Sequence, residues 1–266
     1  MDLLTIEHKS YHMRLNTLVT VLIPSGLRKT PREIAAEVAA GKKYKVLWLL
    51  HGAQEDATAC LRKTNIETYA EECGDLAVVM PSGGNSMYAE TPVIPFESLF
   101  FEELIPMLRS WLPLSDRRED NFVAGMSMGG NGALKMGLLH PEMFSAVACL
   151  SASAIRFEEQ DETELRRGGL LQLHGSLEGM LHSSDNTWRL TEETAKKKNC
   201  PDLFLATGDR DKFIERIRYY RDYARSVGMP MEYREYEGYA HEWRVWDLAL
   251  DEYLRWLGLN KMRTER

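Results

Sequence analysis

An α/β fold, with a mostly parallel central sheet and helices on both faces, is predicted by three features of the sequence. Apolar runs of strand length alternate with segments of helical spacing along the 266 residues, the pattern of repeated β-α units. The run 46–50 (VLWLL) is continuously apolar, as a strand covered on both faces must be. The glycine-rich segment 125–130 (GMSMGG) lies between a strand-like run and a helix-like one.

Each element follows from its local pattern. Residues 15–23 (LNTLVTVLI) alternate and stop at Pro24, like an early antiparallel strand, so the sheet is expected to be mixed at one edge and parallel inside. Further short strands are predicted at 76–80, 122–124, 144–150 and 203–207, each followed by Gly, Ser or Pro. Helical spacing marks 98–112, where Leu104, Met107, Leu108 and Trp111 share a face, and marks 132–140, 213–227 and 243–257. The strand-like 231–236 (MEYREY) precedes the last helix. Segment 156–198 is rich in charge and glycine and poor in strand signals. It reads as an insertion, about 155–200, over the sheet's C-terminal edge, or equally as a pair of solvated loops.

Composition narrows the function classes. At 44% hydrophobic the chain can bury one sizeable core, so residues 1–266 are expected to form a single domain. The net charge of −7, with both signs interspersed, argues against nucleic acid. No window approaches the roughly 20 apolar residues of a membrane span, and the charged start MDLLTIEHKS is unlike a signal peptide, so a cytoplasmic protein with no membrane partner is expected. Cys60, Cys73, Cys149 and Cys200 are widely spaced and read as free thiols, mostly buried; no metal or other cofactor is expected. The sequence admits a homo-oligomer without specifying one.

The motif G-x-S-x-G occurs by chance in about one chain of this length in ten, so its context has to decide. Residues 121–124 lead into it as a strand and 132–140 leave it as a helix, which places Ser127 at a strand-to-helix elbow. An elbow strains its central residue and needs neighbours without side chains, the places taken here by Gly125, Gly129 and Gly130. The bland alternative is a serine that merely caps a helix.

A serine hydroxyl needs a base, and the base needs a carboxylate, in the chain order Ser, Asp or Glu, His. Of His140, His174, His182 and His241, the last stands in a loop between a strand and the final helix, where the base belongs. His140 ends the elbow's own helix, and His174 and His182 fall in the insertion. For the acid, GDRDKF after strand 203–207 offers Asp209 and Asp211; Asp211 is preferred because Asp209 is better placed to stabilise the turn. The oxyanion donors expected are the backbone N–H of Met128 and that of Ala53, beyond His51-Gly52 at the exit of strand 46–50.

Taken together, LLHG, MPSGGNSMYAE, GMSMGGNGAL, ATGDRDKF and YAHEW resemble the esterase D-type branch of the α/β-hydrolases over about residues 2–259. That branch includes tributyrin esterases, S-formylglutathione hydrolases, and feruloyl and acetylxylan esterases. The resemblance implies the α/β-hydrolase fold and a serine carboxylesterase of short acyl esters, with Ser127, Asp211 and His241 matching the family's triad and a small-molecule ester as partner. Feruloyl or acetylxylan esterase and S-formylglutathione-type thioesterase are the alternative activities, and an inactive hydrolase-fold binding module is the alternative of another class. It further implies that Tyr88 lines the acyl pocket, beside Gly52, unless its ring only packs the loop. Glu55 and Asp56 depart from the small residues usual after His-Gly, and are expected to face solvent or a polar substrate.

Overall fold

The computed structural model describes residues 1–25, 29–152, 154, 156–159 and 170–260. Its centre is an eight-stranded sheet: β1 (Asp2–Lys9), β2 (Asn16–Ile23), β3 (Lys45–Leu50), β4 (Leu76–Pro81), β5 (Asn121–Met126), β6 (Ala146–Leu150), β7 (Asp202–Gly208) and β8 (Met231–Tyr236). The spatial order is β1-β2-β4-β3-β5-β6-β7-β8. β2 pairs antiparallel with both β1 and β4, and every pairing from β4 to β8 is parallel. The α/β-hydrolase expectation of a sheet mixed at one edge and parallel inside is met.

The pleat divides the core in two. On β3, Val46, Trp48 and Leu50 belong to one apolar cluster, and Leu47 and Leu49 to the other. The first is covered by the elbow helix Met128–Leu139 and by Ile105–Trp111, Thr187–Ala195 and Ile214–Ser226. The second is covered by Ile66–Cys73 and by Trp243–Trp256, whose Trp246, Leu250, Tyr253 and Leu254 are buried. A continuously apolar β3 is the physical requirement of a strand with helices on both sides.

Two elements depart from the sequence reading. β1 was not expected, because its polar residues alternate with Leu4 and Ile6 on a strand that is largely exposed. The helix expected at 98–112 is not uniform: Leu99–Leu104 forms wide π turns before Ile105–Trp111 resumes as α-helix. Pro106 has no N–H to offer the carbonyl of Glu102, and the N–H of Ile105 reaches back instead to Phe100.

Segment 156–198 contains no strand among its described residues. Residues 155 and 160–169 of the expected insertion lie outside the description. The rest forms short helices, with Phe157, Leu171 and Met180 making a small apolar cluster against Met87. Thr187–Ala195 then packs on the elbow helix, so this part of the insertion is anchored to the core.

All four cysteines are free; Cys60 and Cys149 are buried and the other two half-buried. Burial pushes the thiols of Cys60 and Cys73 up to about 12 and that of Cys200 up to about 11, and raises that of Cys149 as well. No helix among the described residues is long and apolar enough to cross a membrane.

Candidate active site

The elbow sits at the C-terminal end of β5. Ser127 is left-handed, with φ 54° and ψ −118°, a conformation that strains any residue with a Cβ. Glycine neighbours make the turn sterically possible. A Cβ at Gly125 would lie 2.1 Å from the carbonyl oxygen of Gly129, and one at Gly129 would lie 2.2 Å from that of Leu50. The Ser127 N–H donates to the Leu150 carbonyl at 2.7 Å, which fixes the elbow to β6.

Ser127 occupies the N-cap of the elbow helix, yet its side chain caps nothing. Its hydroxyl lies 2.8 Å from His241 Nε2, while His241 Nδ1 lies 2.9 Å from Asp211 Oδ2. An ionised carboxylate only accepts, so Nδ1 carries the proton and Nε2 is left to accept from the serine. Three segments supply the three side chains: the elbow after β5, the loop after β7, and the loop after β8. Parallel pairing brings those strand ends to one rim.

The carboxylate is held on both oxygens. Asp211 Oδ1 accepts from the Phe213 N–H at 2.9 Å, and Oδ2 also accepts from the Thr207 hydroxyl at 3.2 Å. Burial pushes this carboxyl up, but hydrogen bonds from His241, the Phe213 N–H and Ser151 outweigh it and leave Asp211 below its ordinary value. The imidazole is held edge-on between Phe213 and Trp246, with ring centroids at 5.2 and 5.1 Å. Asp209 accepts instead from the Gly238 N–H at 2.7 Å and ties the β7 and β8 loops together.

The other histidines have different neighbours. His140 pairs with Glu142 and packs its ring, tilted by 41°, against Phe101. His174 Nε2 lies 2.8 Å from Asp185, inside the insertion.

The exit of β3 runs beside the nucleophile. A Cβ at Gly52 would lie 3.6 Å from that of Ser127, so a larger residue there would crowd the reacting atom. His51 is buried, and its two nitrogens hold separate loops. Nδ1 donates to the Gly52 carbonyl at 2.7 Å, and Nε2 accepts from the Gly83 N–H at 2.9 Å. Burial lowers its pKa, which suits the neutral ring those two bonds require. Ala53 follows as an exposed turn residue, and Met128 opens the elbow helix, where an N–H has no intrahelical acceptor.

Tyr88 is fully buried, and its hydroxyl donates to the His51 carbonyl at 2.9 Å. The ring packs the loop beneath the β3 exit, the second of the two roles considered for it, and leaves no surface with which to line a pocket. Glu55 pairs with Lys63 and Arg62, and Asp56 caps the turn at the Thr58 N–H. Both carboxylates are thus engaged by their own helix start.

Sequence reasoning missed Thr207, Ser151, Lys135 and Asp185. Lys135, Asp185 and Ser151 act through contacts made between distant segments. Thr207 lies only four residues from Asp211, but a serine or threonine at a strand end carries no signal of its own. No group of three or more metal-ligating side chains occurs among the described residues.

Comparison with known proteins gives the family and the fold. Residues 28–257 match the family model described as a putative esterase. The chain is 26% identical to an acetyl esterase of Caldicellulosiruptor saccharolyticus, over 97% of this chain and 98% of that protein. Among solved structures it is similar to an S-formylglutathione hydrolase of Staphylococcus aureus, with TM-score 0.81 and 26% identity over 96% of this chain and 98% of the other. A fluorophosphonate-binding serine hydrolase from the same organism gives TM-score 0.79 and 25% identity, over 96% of this chain and 98% of the other.

Proposed function

The chain belongs to the putative esterase family and is a carboxylic ester hydrolase, and on that premise we propose that it cleaves short-chain acyl esters through Ser127, His241 and Asp211. The observation that carries this reading is the unbroken hydrogen-bonded line from the Ser127 hydroxyl through His241 to Asp211. His241 takes the serine proton as Oγ attacks the ester carbonyl, and Asp211 keeps the ring in the required tautomer and stabilises its charged form. The N–H groups of Met128 and Ala53 receive the oxyanion of the tetrahedral intermediate. His241 then gives the proton to the departing alcohol, and a water molecule activated by the same base releases the acid and regenerates Ser127.

No step in this scheme calls for a metal or organic cofactor. Residues 1–266 are read as one domain, with 155–200 as a cap-like insertion whose helix Thr187–Ala195 packs on the elbow helix; the family match across 28–257 supports this. Short acyl groups are favoured because the similar proteins over nearly the whole chain are named an acetyl esterase and an S-formylglutathione hydrolase.

A fluorophosphonate probe and a substrate panel test the reading. Wild type should label at Ser127 and Ser127→Ala should not. Rates on p-nitrophenyl acetate and butyrate should exceed those on the octanoate and on methyl ferulate. Equal labelling of both proteins would remove Ser127 from the mechanism, and a dominant methyl ferulate or S-formylglutathione rate would replace the substrate class.

A further inference from the structure

Next to the elbow the backbone is contorted a second time. Met87 and Tyr88 are consecutive left-handed residues, with φ 56° and 54°, and neither is glycine. Such strain persists only where the surroundings over-determine it. Here the Tyr88 ring fills space kept open by two glycines: a Cβ would lie 2.4 Å from it at Gly83 and 2.6 Å at Gly132. Its N–H donates to the Ser86 hydroxyl at 3.0 Å, and its carbonyl accepts from the ammonium of Lys135.

Lys135 lies on the elbow helix and is 2% exposed, an expensive place for a charge. Its partner is Asp185 of the insertion, with Oδ1 at 2.6 Å, and the other oxygen of Asp185 lies 2.8 Å from His174 Nε2. Burial pushes the Asp185 carboxyl up, but Lys135 and His174 outweigh it and hold Asp185 below its ordinary value. Among the described residues, the counter-charge for Lys135 therefore comes from the insertion.

We propose that Tyr88 and Lys135 are positioning residues for the oxyanion peptide, and that Asp185 couples this support to the insertion. The inference rests on the reading of Ala53 as an oxyanion donor. The loop after β4 grips His51 twice, by the Tyr88 hydroxyl on its carbonyl and by the Gly83 N–H on its ring. The same ring holds the Gly52 carbonyl. In a planar trans peptide the C=O and N–H point in opposite directions, so fixing the Gly52 oxygen fixes where the Ala53 N–H points. A donor held before charge develops need not reorganise during the reaction, which is the source of its catalytic effect. Lys135 locks the gripping loop to the helix that carries Ser127, so nucleophile and oxyanion donor share one frame.

Three variants test this: Tyr88→Phe, Lys135→Met and Asp185→Asn. The measurements are kcat and KM on p-nitrophenyl acetate and the affinity of a trifluoromethyl ketone, which adds to the serine as a tetrahedral oxyanion. Tyr88→Phe should lower kcat about tenfold, leave KM within about twofold, and weaken the ketone by the same factor as kcat/KM. Lys135→Met should act in the same direction, and the double variant should lose less than the product of the two, because both belong to one chain of contacts. Should Lys135→Met fail to fold, Asp185→Asn keeps the side-chain shape and should lower kcat about threefold. Unchanged kcat and ketone affinity in Tyr88→Phe would overturn the proposal, as would losses confined to KM or to thermal stability. Unchanged kcat in Asp185→Asn would overturn the link to the insertion. Ser127→Ala separates the two readings: an active Ser127→Ala defeats the catalytic assignment itself, whereas an inactive one beside a wild-type-like Tyr88→Phe defeats only this inference.

Discussion

At the β5 elbow, Ser127 adopts φ 54° among Gly125, Gly129 and Gly130; in the loop after β4, Met87 and Tyr88 adopt φ 56° and 54° against Gly83 and Gly132. Both pair a strained residue bearing a side chain with glycines that make room for it. They put the strain to opposite uses. The elbow lifts a hydroxyl to the rim where His241 can reach it, whereas the second turn drives an aromatic ring inward, where it touches only backbone and packing neighbours. Strain at a functional site thus need not mark a reacting group; it can equally mark the support of one.

The comparison can be broken most severely on the reactive side. Asp211→Asn should lower kcat by about 10⁴ on an activated ester, because the amide favours the wrong histidine tautomer. A loss below tenfold would show that the line seen from Ser127 to Asp211 does not operate.

Glycine substitutions compare the two turns directly. In Gly129→Ala the new Cβ meets the carbonyl oxygens of Leu50 and His51, at 2.2 and 2.5 Å, and backbone cannot step aside. A stability loss of about 3 kcal/mol with loss of activity is expected. Gly83→Ala meets the ring of Tyr88 instead. It should cost about 2 kcal/mol and lower kcat more than it raises KM. Urea unfolding together with steady-state kinetics reads both, and equal kinetic damage would erase the distinction between displaying and supporting turns.

A third experiment uses pH. Burial holds the pKa of His51 below its ordinary 6.5 in the folded chain, while the unfolded chain titrates near that value. The unfolded state therefore binds the proton first as pH falls. The His51 contribution is intact above about pH 6.5 and declines below it, by at most about 1.4 kcal/mol per pH unit, until the folded ring titrates. His51→Gln should flatten this component of stability between pH 7 and 5. Parallel pH dependence in both proteins would mean that the ring is not held neutral.

The smallest effect belongs to Gly84, beside the second turn. It has φ 53° and open space around it, so Gly84→Ala should cost only about 1 kcal/mol of backbone strain and leave kcat unchanged. A loss as large as that of Gly83→Ala would show the loop to be sensitive to conformation alone.

The two turns were not equally legible. The elbow's glycines lie within a few residues of Ser127, so a local motif reports it, and the strand and helix on either side were readable from periodicity. The turn at Met87 depends on Gly132 and Lys135 from the elbow helix, and no local pattern records a contact between such distant segments. The same limit explains Ser151, whose hydroxyl serves Asp211 only after β6 and β7 have paired. Thr207 is four residues from Asp211, and a threonine at a strand end is too common to mark it. A sheet parallel inside and mixed at one edge was legible because apolar continuity reports burial on both faces, whereas the spatial order of the strands was not read from the sequence. β1 was missed because an exposed edge strand need not be apolar. The π turns before Ile105 accompany Pro106, a local signal that the helical spacing of 98–112 does not register.

The protonated cysteines bear on how the enzyme would meet reactive compounds. Thiolate is the form that alkylating and oxidising agents attack, and at neutral pH these four side chains hold almost none of it. Under the proposed mechanism, an electrophile able to modify either sulfur or oxygen would find its fastest partner in the Ser127 alcohol, the reverse of the usual order. Chloromethyl ketones or disulfide reagents should modify the four cysteines far more slowly than an acylating agent consumes Ser127.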